Sequence, residues 1–197
     1  MSKVIGSTAP GLLIAPPPLT DPNFDRTVVL VAIHNDEGAL GFVVNRVAPI
    51  TLGELLTKAG YGEAHHDRPG PVYLGGPVQR SSGWVLRVDP GTAGDGVIRI
   101  DDRLRVSSSR ADLDTLVREL EERAPDAPDP MRRMVFLGYS GWAPGQLDAE
   151  LAAGAWLPVP LDEDIVFDPE VDRKWERAYA KLGLSPASAM WTKGGEA

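Results

Sequence analysis

The chain has 197 residues, 43% hydrophobic and 24% charged, with 21 Gly, 18 Pro and no cysteine. That is the composition of one ordinary globular domain rich in turns, and it excludes a disulfide framework, thiolate chemistry and any zinc site built on sulfur. The formal charge of −8 disfavours a broad grip on nucleic-acid phosphates, because Arg and Lys are thinly spread and sit beside acids, as in Asp101-Asp102-Arg103.

In chain order, Leu12-Leu13-Ile14-Ala15 runs straight into Pro16-Pro17-Pro18, too short for a signal peptide's apolar region. No later stretch has the apolar length of a membrane span. The expectation is a cytoplasmic protein with no membrane partner. Gly11–Ile14 reads as a strand. Thr27–Ile33 and Ala39–Val44 are nearly continuous apolar runs, which predicts a hairpin in the middle of a sheet with both faces covered. His34-Asn35-Asp36-Glu37-Gly38 supplies its turn. Further strands are predicted at Val72–Leu74, Trp84–Val88, Val97–Ile100 and Met134–Leu137, with a short one near Ile165–Phe167.

Helices separate these strands. Thr51 with Glu54 three residues on is a capping box. A second helix opens near Ser109 and buries Leu113, Leu116, Val117 and Leu120. A third follows Pro144-Gly145, with Leu147 and Leu151 on one face. The last is capped by Asp168, has Pro169 at its first position, and buries Val171, Trp175, Tyr179 and Leu182. Gly183 stops it, and Glu170 with Lys174 forms an i,i+4 pair. Hairpins mixed with crossovers imply an α+β architecture, not a regular βαβ repeat. Residues 124–130 read as an exposed loop, and residues 1–8 and 192–197 as frayed ends. Met190 and Trp191 read either as an apolar anchor or as a final turn on the core.

Several segments are candidates for chemistry. Gly138-Tyr139-Ser140 begins like a nucleophile elbow, but Trp142 stands where that turn needs glycine. The same segment, through Gly141 and Trp142, suits a seat for an anion or small ligand at a helix N-terminus; its plainer role is a tight turn with Trp142 in the core. Gly75-Gly76-Pro77 matches neither a Walker loop nor a dinucleotide fingerprint. Arg26 and Arg46 flank the hairpin, where with Asn45 they could converge on one rim suited to carboxylate or phosphate; the commoner role is neutralisation by Asp25 or a helix C-terminus. Gln146 and Glu150 share a helix face beside the Gly-Trp loop, placed either to contact a ligand held there or to form a solvated polar face. His65-His66-Asp67 lacks a second segment to complete a metal site, so no metal and no cofactor are expected.

Gly11–Ala15, Asp21-Pro22-x-Phe24-x-Arg26-Thr27, His34-Asn35-x-Glu37-Gly38, Val44-Asn45-Arg46, Val72-Tyr-x-Gly-Gly-Pro-Val78, Phe136-Leu-Gly-Tyr-x-Gly-Trp-x-Pro-Gly-Gln-Leu147 and Trp156-Leu157 together resemble the YqgE/AlgH family of small bacterial proteins. The resemblance implies a single compact domain, α+β, with a mixed, barrel-like β-sheet flanked by helices, and a cytosolic home. It implies no catalytic residue; one branch carries the name of a transcriptional regulator. The expectation for function is a non-catalytic binding or regulatory protein acting through a protein partner or a small anionic ligand. The alternative is an enzyme for a small anionic substrate, its pocket formed by the glycine turns with Arg26 and Arg46.

Overall fold

The computed structural model describes residues 8–17, 19, 21–89, 91, 94–123 and 132–184. The expected frayed ends, with Met190 and Trp191, and the 124–130 loop lie almost wholly outside them. Ten strands form one curled sheet: β1 (Gly11–Ile14), β2 (Val28–Asn35), β3 (Gly38–Val43), β4 (Val47–Thr51), β5 (Pro71–Leu74), β6 (Val78–Val88), β7 (Val97–Arg99), β8 (Leu104–Ser107), β9 (Arg133–Trp142) and β10 (Leu157–Pro160). The main path is β10-β1-β2-β3-β9-β6-β8-β7, and β5 joins β9 in parallel while every other pairing is antiparallel. Five helices flank it: α1 (Leu52–Leu56), α2 (Arg110–Glu121), α3 (Gln146–Ala152), α4 (Glu163–Val166) and α5 (Lys174–Lys181). This is the mixed α+β single domain that the sequence predicts.

Because side chains alternate along a strand, the near-continuous apolar runs fill both faces. Leu12, Ile14, Val28, Leu30, Phe42 and Phe136 face one core with Trp175, Ala178 and Tyr179 of α5. The opposite face carries two further cores. Leu13, Val29, Val31 and Val43 pack with Trp142, Leu147 and Trp156. Val72, Val85 and Val135 pack with Leu52 and Leu56 of α1 and Leu116, Val117 and Leu120 of α2. The sheet's end strands are poor templates for pairing with another chain: β10 carries Pro158 and Pro160, and β7 has three residues.

The capping box forms as predicted, with Glu54 N–H donating to Thr51 Oγ1 at 3.2 Å and Thr51 N–H to Glu54 Oε2 at 2.8 Å. Ser109 caps α2, and Gly183 ends the last helix at φ +69°. Other expectations need correction. Ile165–Phe167 is not a strand: the Asp162 carboxylate accepts from the amides of Asp164 and Ile165 and starts α4 there. The last helix does not begin at Pro169. A single 3₁₀ turn (Val171–Arg173) precedes it, and Asp168 accepts only from the Glu170 amide and from Arg177. Glu170 pairs with Arg173, not Lys174, because Lys174 is fully buried. The strands β4, β8 and β10 had no predicted counterpart.

Candidate functional site

The structure brings Arg26, Asn45 and Arg46 to one loop. Asn45 Oδ1 accepts from the Val28 amide and its Nδ2 donates to the Arg26 carbonyl, each at 2.8 Å. Arg46 donates from Nη1 to the Pro22 carbonyl at 2.5 Å and from Nη2 to that of Asp25 at 2.9 Å. Arg26 is in the left-handed region at φ +52°, with its guanidinium 5.2 Å from the Trp175 ring centroid. The two side chains part there, the Arg46 guanidinium meeting carbonyls and that of Arg26 an indole face. They hold the 21–26 loop in place.

Gly75 and Gly76 meet a different stretch. There β5 ends against the middle of β9: the Gly75 amide donates to the Leu137 carbonyl, and the Val43 amide to the Gly75 carbonyl, both at 2.9 Å. Gly138, at φ +71°, lies inside β9, not in a strand-to-helix turn. A methyl group there would sit 2.7 Å from the Val78 carbonyl oxygen and 2.8 Å from that of Gly76. The glycines allow main chains to pass in contact. Ser140 is fully buried and donates to the Gly75 carbonyl at 3.2 Å.

Trp142, Gln146 and Glu150 form a third cluster. Glu150 Oε2 accepts from the indole N–H of Trp142 at 2.9 Å and of Trp156 at 2.8 Å, and its Oε1 accepts from Gln146 Nε2 at 2.9 Å. Gln146 Oε1 accepts from the Ala143 amide at 3.0 Å and closes the turn into α3. Gly141 adjoins this cluster in β9, opposite Leu40. Phe24 packs edge-on against Trp156 with centroids 5.3 Å apart, which joins this cluster to the arginine-held loop.

The histidines are dispersed. His34 Nδ1 accepts from the Thr8 amide, and Nε2 lies 3.5 Å from Asp148. His65 is buried in a 3₁₀ turn beside Glu121. Among the described residues no cluster of three metal-ligating side chains occurs.

Two features around α2 had no counterpart in the sequence reading. In the first, Arg105, Arg87 and Arg133 stand opposite one another on β8, β6 and β9. All three are buried: Arg87 and Arg133 share the Glu119 carboxylate, and Arg105 Nη1 meets Asp112 at 2.6 Å. Burial alone would raise the Asp112 pKa, but the hydroxyls of Ser107 and Ser109 and the Arg105 guanidinium outweigh it and hold the carboxyl below its ordinary value. The pattern depends on strand register, which no local spacing reveals.

The second feature is a cleft of about 220 Å³ between α1 and α2. Val85, Val135 and Leu137 of the sheet line it, with Leu55 and Ala59 on one side and Leu113 on the other. Its remaining lining includes Ser81, Ser107, Ser108, Ser109 and Arg110. A π turn at Thr57–Tyr61 borders it, tied to α2 by Arg110 stacked 4.3 Å over the Tyr61 ring and by the Tyr61 hydroxyl donating to Asp114. Burial pushes the Tyr61 phenol up to about 12, helped by that hydrogen bond.

The model of a family described as AlgH-like matches residues 12–187. The chain is 42% identical over 193 residues to a UPF0301 protein of Anaeromyxobacter dehalogenans, covering 95% of this chain and 94% of the relative. It is 35% identical over 184 residues to one of Caulobacter vibrioides, covering 93% and 91%. Among solved structures it is similar to that of the AlgH protein from Pseudomonas aeruginosa, with a TM-score of 0.70 and 32% identity over 100% of both chains. A crystal structure from Corynebacterium diphtheriae has a TM-score of 0.63 at 21% identity, covering 92% and 90%, a likeness of fold alone.

Proposed function

This chain belongs to the AlgH-like family, and from that premise we propose that it acts by binding a small ligand or a protein partner rather than by catalysis. Membership brings the fold and no reaction with it. The observation that carries this reading is the state of the 138–150 segment. Its serine is buried and donates to a main-chain carbonyl, and its Glu150 carboxylate accepts from two indoles and an amide. A nucleophile needs a base within reach and an approach for substrate; these groups have partners suited to holding structure. The enzyme alternative ranks lower for a related reason, since Arg46 turns both Nη groups to the Pro22 and Asp25 carbonyls. A regulatory role through direct DNA contact is disfavoured by the charge of −8.

The test is a thermal-shift panel of nucleotides, sugar phosphates, carboxylates, divalent metals and short duplex DNA, with each compound assayed for conversion afterwards. A ligand at about 100 times its Kd adds about 2.7 kcal/mol of stability. The expected result is a selective shift with the compound recovered intact. Turnover of the stabilising compound would overturn the reading, and saturable, sequence-specific DNA binding would replace it with the regulator.

A further inference from the structure

We infer that the cleft between α1 and α2 is a binding site for a small monocarboxylate with a compact apolar body. This rests on the binding reading above and adds the place and the ligand class. The apolar part is set by Val85, Val135 and Leu137, flanked by Leu55 and Leu113. Such a cleft takes an apolar group, while a few polar groups at one side fix its orientation.

The charge of the ligand follows from what lines the cleft. The chain carries 28 acidic residues against 20 basic ones, yet the cleft is lined by no carboxylate and by one charged group, Arg110. Arg110 uses Nε on Asp114 at 3.2 Å and Nη1 on the Ala59 carbonyl at 3.3 Å. Its Nη2 makes no hydrogen bond among the described residues. The opening turn of the twelve-residue α2 lies beside it, with Ser109 as its cap, and adds the positive end of a helix dipole. A single acid group fits this charge. The acid group would meet the open Nη2 edge of Arg110, which stands exposed at the cleft mouth with its Nε side paired to Asp114; an ammonium would find no carboxylate in the lining, and a dianion would exceed what one partly paired cation offsets.

The border of the cleft turns on two glycines. Gly60 and Gly62 adopt φ of +89° and +87°, and a methyl group added at either would meet nothing within 4 Å. The turn between α1 and Gly62 is held across the cleft by Arg110 and Tyr61.

The experiment is isothermal titration of the full chain with hexanoate, hexan-1-ol and hexylammonium, together with methyl NMR spectra. Hexanoate is expected to bind at least ten times more tightly than hexylammonium, and to shift the methyl signals of Leu55, Leu113, Val135 and Leu137. Leu113→Trp, which fills the cleft from α2, and Ala59→Phe, which fills it from the opposite side, should each weaken hexanoate at least tenfold. Arg110→Gln should bring hexanoate down to the affinity of hexan-1-ol. The second filling variant covers the case in which the first fails to fold. Unchanged binding in a folded filling variant, methyl shifts elsewhere, or equal affinity for hexylammonium would overturn the cleft assignment and leave the binding reading intact. No hexanoate binding also overturns it, and the binding reading falls with it only if the wider panel shows no ligand and no protein partner is found.

Discussion

The ammonium group of Lys174 donates to the main-chain carbonyl of Val44 at 2.8 Å, across 130 positions of sequence, and to that of Val166 at 2.7 Å. It is fully buried, 5.2 Å from the Tyr73 ring centroid. One side chain thereby joins the first turn of α5 to the end of the central hairpin and to the end of α4.

Burial pushes the Lys174 pKa down to about 8, against the opposing pull of the Asp168 carboxylate. The folded pKa thus lies below the unfolded value, near 10.4. Below pH 8 both states hold the proton and the fold carries the whole cost of a buried ammonium. Between pH 8 and about 10.4 the unfolded state binds more proton, so stability rises with pH. Urea unfolding at pH 7.5 and 9.5 should show a gain of about 2 kcal/mol from this group. Lys174→Met should remove that gain, and equal slopes in the two proteins would refute the assignment. The window stops short of pH 10, where Tyr73 and Tyr179, both raised by burial, begin to oppose it.

Asp112 and Arg105 give a pH dependence of the same sign in an acid window. Asp112 is held below its ordinary pKa in the fold, so its contribution is present above the unfolded value, near 3.9, and lost as pH falls through the folded one. Asp112→Asn leaves Arg105, 7% exposed, with Asp89 at 3.4 Å as its remaining carboxylate. Removing one partner of a buried pair costs about 3–5 kcal/mol. Denaturant curves at pH 7 should show that loss, and an acid titration should show a flatter profile below pH 4.

What was legible in the sequence was local. Thr51 and Glu54 are three residues apart, and both capping hydrogen bonds form. The 27–44 hairpin could be read because its residues are apolar on both faces and the sheet covers both. Ile165–Phe167 misled because three apolar residues outweighed Asp162, whose short side chain starts a helix. β8 was hidden by Arg105, a charged residue that points inward because Asp112 waits for it from α2. β10 was hidden by Pro158 and Pro160, which an edge strand tolerates. At the candidate site, the hairpin ends alone put Arg26 beside Asn45, which donates to its carbonyl. The partners that occupy the guanidinium groups of Arg26 and Arg46 come from the 21–26 loop and α5, and no spacing rule announces them.

The close passage of Gly76, just beyond β5, against β9 predicts a sharp contrast between glycines. A methyl group on Gly76, at φ +156°, would overlap the main chain at Tyr139 and Ser140, whereas one on Gly154, at φ +70°, meets nothing within 4 Å. Gly154→Ala should cost about 1–2 kcal/mol for its left-handed conformation alone. Gly76→Ala forces two strands apart and should cost more than about 3 kcal/mol or prevent folding. Thermal melts of the two variants side by side check this, and equal losses would mean that the passage is slack.

The Glu150 cluster makes the last prediction, and it turns on counting donors. Trp142, Trp156 and Gln146 all donate to this one carboxylate, and Gln146 cannot reverse its amide without facing its own NH2 toward the Ala143 amide. Glu150→Gln keeps the shape but supplies one oxygen and one NH2 group. In either orientation of the new amide, a donor faces a donor somewhere in the cluster. The loss should be about 1–3 kcal/mol, read as a lower urea midpoint with an unchanged slope. Because both indoles lose a charged neighbour, the tryptophan fluorescence of the folded protein should shift as well. A variant as stable as the parent would mean that Glu150 is not needed to hold the two indoles, which would reopen it as a group available to a ligand.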